Sequence, residues 1–412
     1  GWRWTPWAEI GVFDRQLVAL LEEALKAAGH ADSPLRARLL AALAAQLFWA
    51  DAPRRRRTLG QRALEMARRV ADADALGYVL NACSYALYSP ELVEERLTIG
   101  TEIVGLARTT GASTLALTGH FVLMTGWLER GSTERAQQEL DIFDRLAGAS
   151  HQPLYRWYAT EARAALATVS GRFEEAEGLV GLARDMGRRA QQPDAEIAYR
   201  GQLVTLRTAV GRIPEAQAAL DGMLAGHEDL PAYTTVIALR GFLHSEAGRV
   251  TDARGEFERL AGNDFRALPR DPTWLGCVAV LAETCAFLGD AERAARLYRI
   301  LRPCADRTVT TLAGSTCLGS VAHYLGVLAV TMRRWNDAEA HFEAAVRVNG
   351  AMGARPWLVR THCAYADMLA SRSATGDRER ALQQLSVAIT AGRELGIHTQ
   401  VARADDLQRR LG

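Results

Sequence analysis

Lysine is almost absent from this sequence of 412 residues: Lys26 is the only one, so the basic residues are nearly all arginine. A phosphate-binding loop of the GxxxxGK[ST] type needs a lysine in a glycine-rich context, and the surroundings of Lys26 do not provide it. Schiff-base chemistry, including that of pyridoxal enzymes, also depends on a lysine amine. The sequence therefore argues against lysine-dependent nucleotide and aldehyde chemistry, and we expect no cofactor.

Metal-ligand spacing, membrane spans and a strong net charge are missing as well. The six cysteines form no CxxC pair, and the net charge is only +1. No apolar run approaches the roughly 18 residues that a membrane helix needs. The one basic cluster, RRRR at 54–57, is too short for specific nucleic-acid binding. We therefore expect a cytoplasmic protein without a metal site, a membrane span or direct nucleic-acid contact.

What the sequence does contain is a repeated turn signature, in which an alanine follows five residues after a glycine or arginine. Its seven copies are GSTERA (131–136), GRFEEA (171–176), GRIPEA (211–216), GRVTDA (248–253), GDAERA (289–294), RRWNDA (333–338) and GDRERA (376–381). They recur about every 40 residues. A fixed period of this length indicates stacked helical hairpins, because a single hairpin cannot bury its apolar face alone.

The apolar periodicity between the signatures is helical throughout, so we predict an all-α fold. It would be a right-handed α-solenoid of about ten hairpins in a single domain, 1–412, with degenerate hairpins over 1–130 and clearer repeats over 131–412. Residues 303–312 are expected to be only a connection between hairpins. In the pair that follows, Gly326 is expected to let the second helix approach, with Ala338 and Phe342 on its buried stripe.

This pattern resembles the tetratricopeptide repeat, whose first helix carries Leu-Gly and whose second carries Ala, an aromatic residue and Ala. The longer period, near 40 rather than 34, is similar to that of MalT-like sensor domains. The phrases QPLYRWYA (152–159), FRALPRDPTWL (265–275), YLGVLA (324–329), GARPWL (353–358) and GDRERALQQLSVAITAGRELG (376–396) resemble the repeat region of large actinobacterial ATPase regulators. Those proteins couple a STAND-type or AAA-like ATPase to a LuxR-type DNA-binding domain, or carry a cyclase-like domain.

Prolines followed closely by aromatic residues recur at the start of first helices and suggest a binding trough. They are Pro6 with Trp7, Pro153 with Tyr155 and Trp157, Pro231 with Tyr233, Pro272 with Trp274, and Pro356 with Trp357. Aromatic residues and arginines are the usual anchors of interfaces. The alternative is a purely structural role, in which the proline presets φ and the ring packs on the preceding hairpin.

The candidate binding residues on the predicted concave face combine these aromatic residues with nearby arginines. They are Arg156, Trp157, Tyr199, Arg200, Tyr233, Arg240, Trp274, Tyr324, Trp357 and Arg360. Guanidinium groups facing a groove would bind carboxylate or phosphate, although arginine is also the default solvated cation of this chain. On this hypothesis, replacing Trp157, Trp274 and Trp357 together by alanine would abolish binding without unfolding the chain.

These observations favour a non-catalytic module that senses a ligand or binds a protein segment in its concave groove. The resemblance implies that it would be the sensor arm of a multidomain ATP-dependent transcriptional regulator, with an ATPase domain upstream in the same polypeptide. The alternative is a free-standing enzyme or an assembly scaffold built on the same fold. A cluster of histidines facing the concavity would favour the enzyme, whereas dispersed histidines would favour the binding module. The sequence gives no oligomeric state.

Overall fold

The chain folds into α-helices joined mostly by short turns. The computed structural model describes residues 10–150, 152–225, 233–311 and 314–412. Within these ranges there are twenty α-helices, numbered here α1 to α20. The first ten are Arg15–Ala27, Pro34–Gln46, Pro53–Val70, Ala73–Ala86, Val93–Thr110, Ser113–Glu129, Thr133–Ala149, Pro153–Ser170, Phe173–Arg189 and Ala195–Val210.

The second half of the chain continues in the same way and adds one small sheet. Helices α11 to α20 are Ile213–Leu224, Tyr233–Glu246, Val250–Ala261, Trp274–Leu288, Ala291–Leu301, Val321–Thr331, Trp335–Ala351, Arg355–Arg372, Asp377–Leu395 and His398–Leu411. The two strands are β1, Thr308–Thr311, and β2, Thr316–Ser320. The predicted all-α class is confirmed. In the described ranges, none of the helices has the length and apolar character required to cross a bilayer.

The turn signature shares two structural features at all seven places. Its first residue has a positive φ in every copy, including the one copy that begins with arginine: Gly131, Gly171, Gly211, Gly248, Gly289, Arg333 and Gly376. The alanine five residues later is fully buried in every copy: Ala136, Ala176, Ala216, Ala253, Ala294, Ala338 and Ala381. Glycine favours this left-handed conformation because it has no Cβ, and alanine lets the following helix pack closely. Each signature therefore joins an even-numbered helix to the odd-numbered helix after it.

The pair α16 and α17 shows how closely the two helices approach. A Cβ atom placed on Gly326 would lie only 2.8 Å from ring atoms of Phe342. Phe342 and Ala338 are themselves fully buried. The expected close approach at Gly326 is confirmed, because any larger residue there would displace the phenylalanine ring.

The segment expected to be a simple connection at 303–312 instead leads into an antiparallel β-hairpin. Strand β1 packs against α6 and α14, and β2 packs against α8, α10, α17 and α18. Buried hydrogen bonds fix it: the Thr308 hydroxyl donates to the Leu128 carbonyl at 2.6 Å, and the Gln202 amide donates to the Ser315 carbonyl at 2.9 Å. The hairpin therefore occupies space between helices that are far apart in sequence.

The C-terminal helices also contact turns that lie far earlier in the chain. Three hydrogen bonds make these contacts: the Thr133 hydroxyl to the Met352 carbonyl (2.8 Å), the Thr399 hydroxyl to the Gly211 carbonyl (3.3 Å), and the Arg403 guanidinium to the Glu246 carbonyl (2.9 Å). Along the earlier part of the chain these contacts occur in the order 133, 211 and 246, and their partners follow in the same order, 352, 399 and 403. The helices from α17 to α20 thus run along the ends of earlier helix pairs.

A pair of glycine substitutions measures how much this long-range packing contributes to stability. Gly211 and Gly248 both have a left-handed φ, but only Gly211 is crowded: a Cβ there would lie 2.5 Å from Thr399 Oγ1 and 2.9 Å from Thr399 Cβ. We expect Gly248→Ala to lower the free energy of unfolding by about 1 kcal/mol through backbone strain alone. Gly211→Ala should cost about 2–4 kcal/mol, because Thr399 must move as well. Urea unfolding checks this, and equal losses would contradict the contact.

Candidate functional site

An interior cavity is lined mainly by the even-numbered helices, which are the first helices of the signature pairs. Side chains of α10, α12, α14, α16 and α18 surround it, together with the β-hairpin, and its volume is about 80 Å³. We call it the apolar chamber. Its apolar wall consists of Ile10, Ile197, Val204, Met223, Val236, Leu239, Phe242, Val280, Leu318, Tyr324 and Trp357. A small space with such walls suits a compact apolar molecule.

One end of the apolar chamber is formed by a cluster of buried charges centred on Arg360. Arg360 Nε donates to Glu283 Oε1 at 3.0 Å, and its Nη2 donates to Glu246 Oε1 at 2.5 Å. These three residues come from α18, α14 and α12, and their side chains are at most 14% exposed. The guanidinium therefore joins three neighbouring first helices and also lies over the ring of Phe242, 5.3 Å from its centre.

Two further residues extend the charge cluster to α16 and α20. His323 Nε2 lies 3.0 Å from Glu283 Oε1, and Arg403 Nη1 donates to Glu246 Oε2 at 3.1 Å. The other ring nitrogen of His323 lies 3.2 Å from the Thr361 hydroxyl. An ionised Glu283 only accepts hydrogen bonds, so His323 Nε2 must carry the proton between them. We use "charge cluster" below for Glu246, Glu283, His323, Arg360 and Arg403.

Within the charge cluster, the negative charges of the carboxylates are balanced by the positive charges of the neighbouring guanidinium groups. Burial by itself would raise the pKa of Glu283, but Arg360 and His323 outweigh it and hold that pKa well below its usual value. Burial would lower the pKa of Arg360, but Glu246 and Glu283 raise it well above its usual value. Glu283 and the guanidinium of Arg360 are therefore both charged, and the two carboxylates of the charge cluster face two guanidinium groups. A ligand in the apolar chamber would find no unmatched charge at this end.

Polar groups in the wall of the apolar chamber are mostly threonine hydroxyls that satisfy one another. Thr235 Oγ1 and Thr273 Oγ1 are 2.6 Å apart, and Thr311 and Thr316 are hydrogen-bonded across the hairpin. Two wall atoms differ: Trp357 Nε1 and Thr208 Oγ1 are buried without a hydrogen-bond partner among the described residues. An unpaired buried donor is costly, so these two atoms are the ones that a ligand would satisfy.

A second cavity, of about 630 Å³, lies on the other side of the charge cluster, and we call it the polar basin. Glu283 and Arg360 belong to the walls of both cavities. The polar basin is also lined by His323, Asp367 and Arg403, and it includes the buried Cys363. Burial raises the pKa of the Cys363 thiol to about 12, so this cysteine is not a reactive thiolate.

Three of the predicted binding residues come together in the apolar chamber: Tyr324, Trp357 and Arg360. The Tyr324 hydroxyl donates to the Leu318 carbonyl at 2.8 Å and so attaches α16 to β2. Sequence reasoning did not find Glu283, which is adjacent in space to both Tyr324 and Arg360, because nothing in the local sequence distinguishes it from a solvated carboxylate.

The other predicted binding residues lie elsewhere, mostly paired with residues of their own or a neighbouring helix. Their contacts are Tyr199 beneath the guanidinium of Arg184, Arg200 with Glu196, Arg240 with Glu256, Tyr233 with Arg259, and Trp274 beneath Arg270. Arg156 is exposed, and Trp157 packs against Ala183, Ala195 and Ala198. Pro6, Trp7 and Pro231 fall outside the described residues. Among the described residues, the proline–aromatic sets therefore do not line one continuous trough.

The expectation that three tryptophans could be replaced without unfolding the chain is wrong. Trp157, Trp274 and Trp357 are 3%, 5% and 7% exposed, so all three belong to the packed interior. Replacing a buried tryptophan by alanine costs about 3–5 kcal/mol, and three such losses, about 9–15 kcal/mol together, are comparable with the whole stability of an ordinary domain. The structural role of these rings, as helix-entry packing, is the one that their burial supports.

The histidines are dispersed over different helix pairs. Their neighbours are Glu139 for His120, Arg249 for His244, Glu283 for His323, Tyr298 for His341 and Gln384 for His362. Burial lowers the pKa of His244, His341 and His362. Among the described residues, no group of three or more histidine, cysteine, aspartate or glutamate side chains is arranged to hold a metal ion.

The pH dependence of stability tests the charge cluster through Glu283→Gln. Below its ordinary pKa of 4.5, Glu283 binds a proton in the unfolded chain but not in the folded protein, so acid favours unfolding. At neutral pH we expect the variant to be less stable by about 3 kcal/mol, because Arg360 loses a buried counter-ion. Below pH 4.5 this difference should shrink by about 1.4 kcal/mol per pH unit.

The matched control is Glu343→Gln, at an exposed position on α17. It should change the unfolding free energy by less than about 0.5 kcal/mol at any pH. Chemical unfolding over a series of pH values measures both variants, and a Glu283→Gln difference that does not vary with pH would contradict the charge cluster.

Comparison with known proteins adds no functional assignment to this geometry. No protein-family model matches the chain, and a search of curated proteins returned no significant match.

Proposed function

We propose that this protein is a non-catalytic sensing module that binds a small, neutral and mainly apolar effector in the apolar chamber. The observation that carries the proposal is the pair of unpaired donors, Trp357 Nε1 and Thr208 Oγ1, on residues that line a cavity whose other polar side chains are all hydrogen-bonded. An effector with an apolar body and one carbonyl-type acceptor would satisfy such a donor while burying its hydrocarbon surface.

A neutral effector is favoured because the charge cluster leaves no spare counter-ion. Arg360, the nearest guanidinium, is already held between Glu246 and Glu283. A carboxylate entering the apolar chamber would lose its hydration and would compete with these two carboxylates for the same donor. A charged ligand would therefore bind worse than a neutral ligand of the same shape.

A small effector is favoured over a bound protein segment because the chain itself occupies much of the interior. Strand β2 packs against α8, α10 and α18, and α18 also contacts α8 and α10. An extended peptide would have to displace the hairpin together with its buried hydrogen bonds from Gln202 and Thr308. The remaining space of about 80 Å³ leaves room for a small molecule but not for a peptide segment.

The proposed sensing mechanism relies on the number of elements that meet at the apolar chamber. An effector there would touch α10, α12, α14 and α18 together with the hairpin, and so would change how first helices pack on one another. Small shifts of packed helices are a known route by which a ligand changes the shape of a helical array. In the right-handed superhelix of tetratricopeptide-like hairpins that we propose, this would alter its curvature.

The resemblance to the repeat region of large ATPase regulators suggests in which kind of protein this change of curvature would act. We propose that the module is the sensor arm of a multidomain ATP-dependent transcriptional regulator and that an ATPase domain reads its curvature. The reading frame on both sides of these 412 codons tests this part. An in-frame ATPase or helix-turn-helix domain would support this proposal. A start codon directly before the first of these codons, together with a stop codon directly after the last, would contradict it.

Binding to the apolar chamber is tested with cyclopentanone, which combines an apolar ring with one carbonyl acceptor. Gly201 lines the apolar chamber, and a Cβ there would meet only Met223 Cε at 3.6 Å. We expect ligand-observed NMR to detect binding to the wild type and to Gly201→Ala, but not to Gly201→Leu, whose side chain fills the space. Trp357→Phe keeps a ring but removes the donor, and should weaken binding about five- to tenfold.

Two controls keep this experiment specific. Gly105→Leu makes the same change at an exposed position on α5 where a Cβ meets nothing within 4 Å, so it should leave binding unchanged. Cyclopentane and cyclopentane carboxylate should both bind more weakly than cyclopentanone, the carboxylate because it is charged. If cyclopentanone fails to bind, or binds equally to Gly201→Leu, the apolar chamber is not an effector site.

A further inference from the structure

A separate cleft of about 420 Å³ lies where the N-terminal helices meet α14 and β1. Its walls come from the start of α3, the segment 86–92, the end of α6, the residues 270–272, 274 and 275, and Thr310. Four arginines line it: Arg54, Arg56, Arg57 and Arg270. We call it the arginine cleft. Three of these arginines belong to the RRRR run at 54–57, for which the proposed function offers no role.

The start of α3 has basic residues in its first turn and no capping side chain. The helix is 18 residues long, its N-cap residue Ala52 makes no side-chain capping hydrogen bond, and its first turn contains no acidic residue. The first N–H groups of a helix point outward unpaired and carry a partial positive charge. Arginines in this turn oppose that charge, so the sequence is unfavourable for the helix unless an anion lies nearby.

The carboxylates of the arginine cleft are already engaged and do not neutralise the run. Glu91 Oε1 accepts from Arg270 at 3.2 Å, and the buried Glu129 pairs with Arg96. Asp271 Oδ1 accepts from both the backbone N–H and the hydroxyl of Thr273, each at 2.7 Å. No described carboxylate lies within ion-pair distance of Arg54, Arg56 or Arg57, whereas their neighbour Arg55 pairs with Glu22.

Arg56 is the most informative of the three. It is only 3% exposed, and its Nη atoms donate to the backbone carbonyls of Phe48 at 2.7 Å and Tyr88 at 3.1 Å. Its buried Nε has no hydrogen-bond partner among the described residues. Burial lowers the pKa of Arg56 to about 10, and Asp271 only partly offsets this. A buried cation that makes no ion pair with any described residue and has an unused donor, in the wall of a cleft, is the arrangement expected of an anion site.

We infer that the arginine cleft binds a phosphate group, carried by a small phosphorylated molecule. The guanidinium groups of Arg54, Arg56 and Arg57 offer more donors than the two oxygens of a carboxylate can accept. A phosphate monoester presents three oxygens and close to two negative charges, which matches both the donor number and the charge surplus. Trp274 also lines the cleft, beneath the guanidinium of Arg270 at 3.8 Å.

The site joins parts of the chain that are distant in sequence. Arg270 links 270–275 to Glu91, and Arg307, just before β1, donates to the Pro90 carbonyl at 3.0 Å. A phosphate held by α3 at this junction would add contacts between the N-terminal helices and the rest of the molecule. This inference does not depend on the apolar chamber, because the two cavities share no lining residue.

The test is calorimetric titration of the whole chain with inorganic phosphate and with phenyl phosphate at constant ionic strength. The double variant R54Q/R57Q removes two exposed arginines of the cleft, and R55Q removes an exposed arginine of the same turn that lies outside it. We expect the double variant to bind phenyl phosphate at least about tenfold more weakly than the wild type. R55Q should bind within about twofold of the wild type, because exposed pairs contribute little.

Three results would overturn the inference. They are no binding of either phosphate by the wild type, equal losses in R54Q/R57Q and R55Q, and benzoate binding as tight as that of phenyl phosphate. The second would indicate a diffuse effect of positive charge, and the third would indicate a carboxylate site. Circular dichroism of both variants shows whether α3 remains folded.

Discussion

The structure depends on one local constraint, the close contact between two helices across a left-handed turn. At each of the seven signature turns the first residue has a positive φ and the alanine five residues later is fully buried. This fixes how each odd-numbered helix lies against its even-numbered partner. It leaves the even-numbered helices free to face one another, and for that reason side chains of α12, α14, α16, α18 and α20 meet in one charge cluster. The apolar chamber results from the same arrangement, because each of several helix pairs contributes its even-numbered helix to the wall.

The sequence was sufficient for the features that repeat. The repeat pattern predicts a tight helix contact at Gly326 and Ala338, and both residues lie at such a contact. Tyr324, Trp357 and Arg360 were named as binding residues, and they meet in the apolar chamber. The roles of Gly326 and Ala338 are determined by their positions within a helix pair. The periodicity of the sequence shows the position of a residue within its helix pair, because neighbouring pairs have similar sequences.

The features that escaped prediction are those made by single, long-range contacts. The β-hairpin interrupts the helical pattern once, and the alternating Thr-Val-Thr-Thr of β1 is too short a signal to outweigh seven helical signatures. Glu283 became part of the charge cluster because Arg360, 77 residues later, reaches it. Trp157 and Trp274 have the sequence context of Trp357 but pack in different surroundings. Contacts of this kind depend on how helix pairs that are distant in sequence pack together. A local sequence pattern does not predict that packing.

The hydrogen bonds between the C-terminal helices and the earlier turns have a consequence for how this chain folds. An open helical array is held together only by neighbours, so its ends fray and it folds quickly from local contacts. Here Thr399 reaches Gly211 and Thr133 reaches Met352, across 188 and 219 residues. The cost of closing such long loops must be met before these bonds form, so folding should end with a slow docking step. Once docked, the terminal helix pairs lose the independence of an ordinary repeat, and the array unfolds as one cooperative unit.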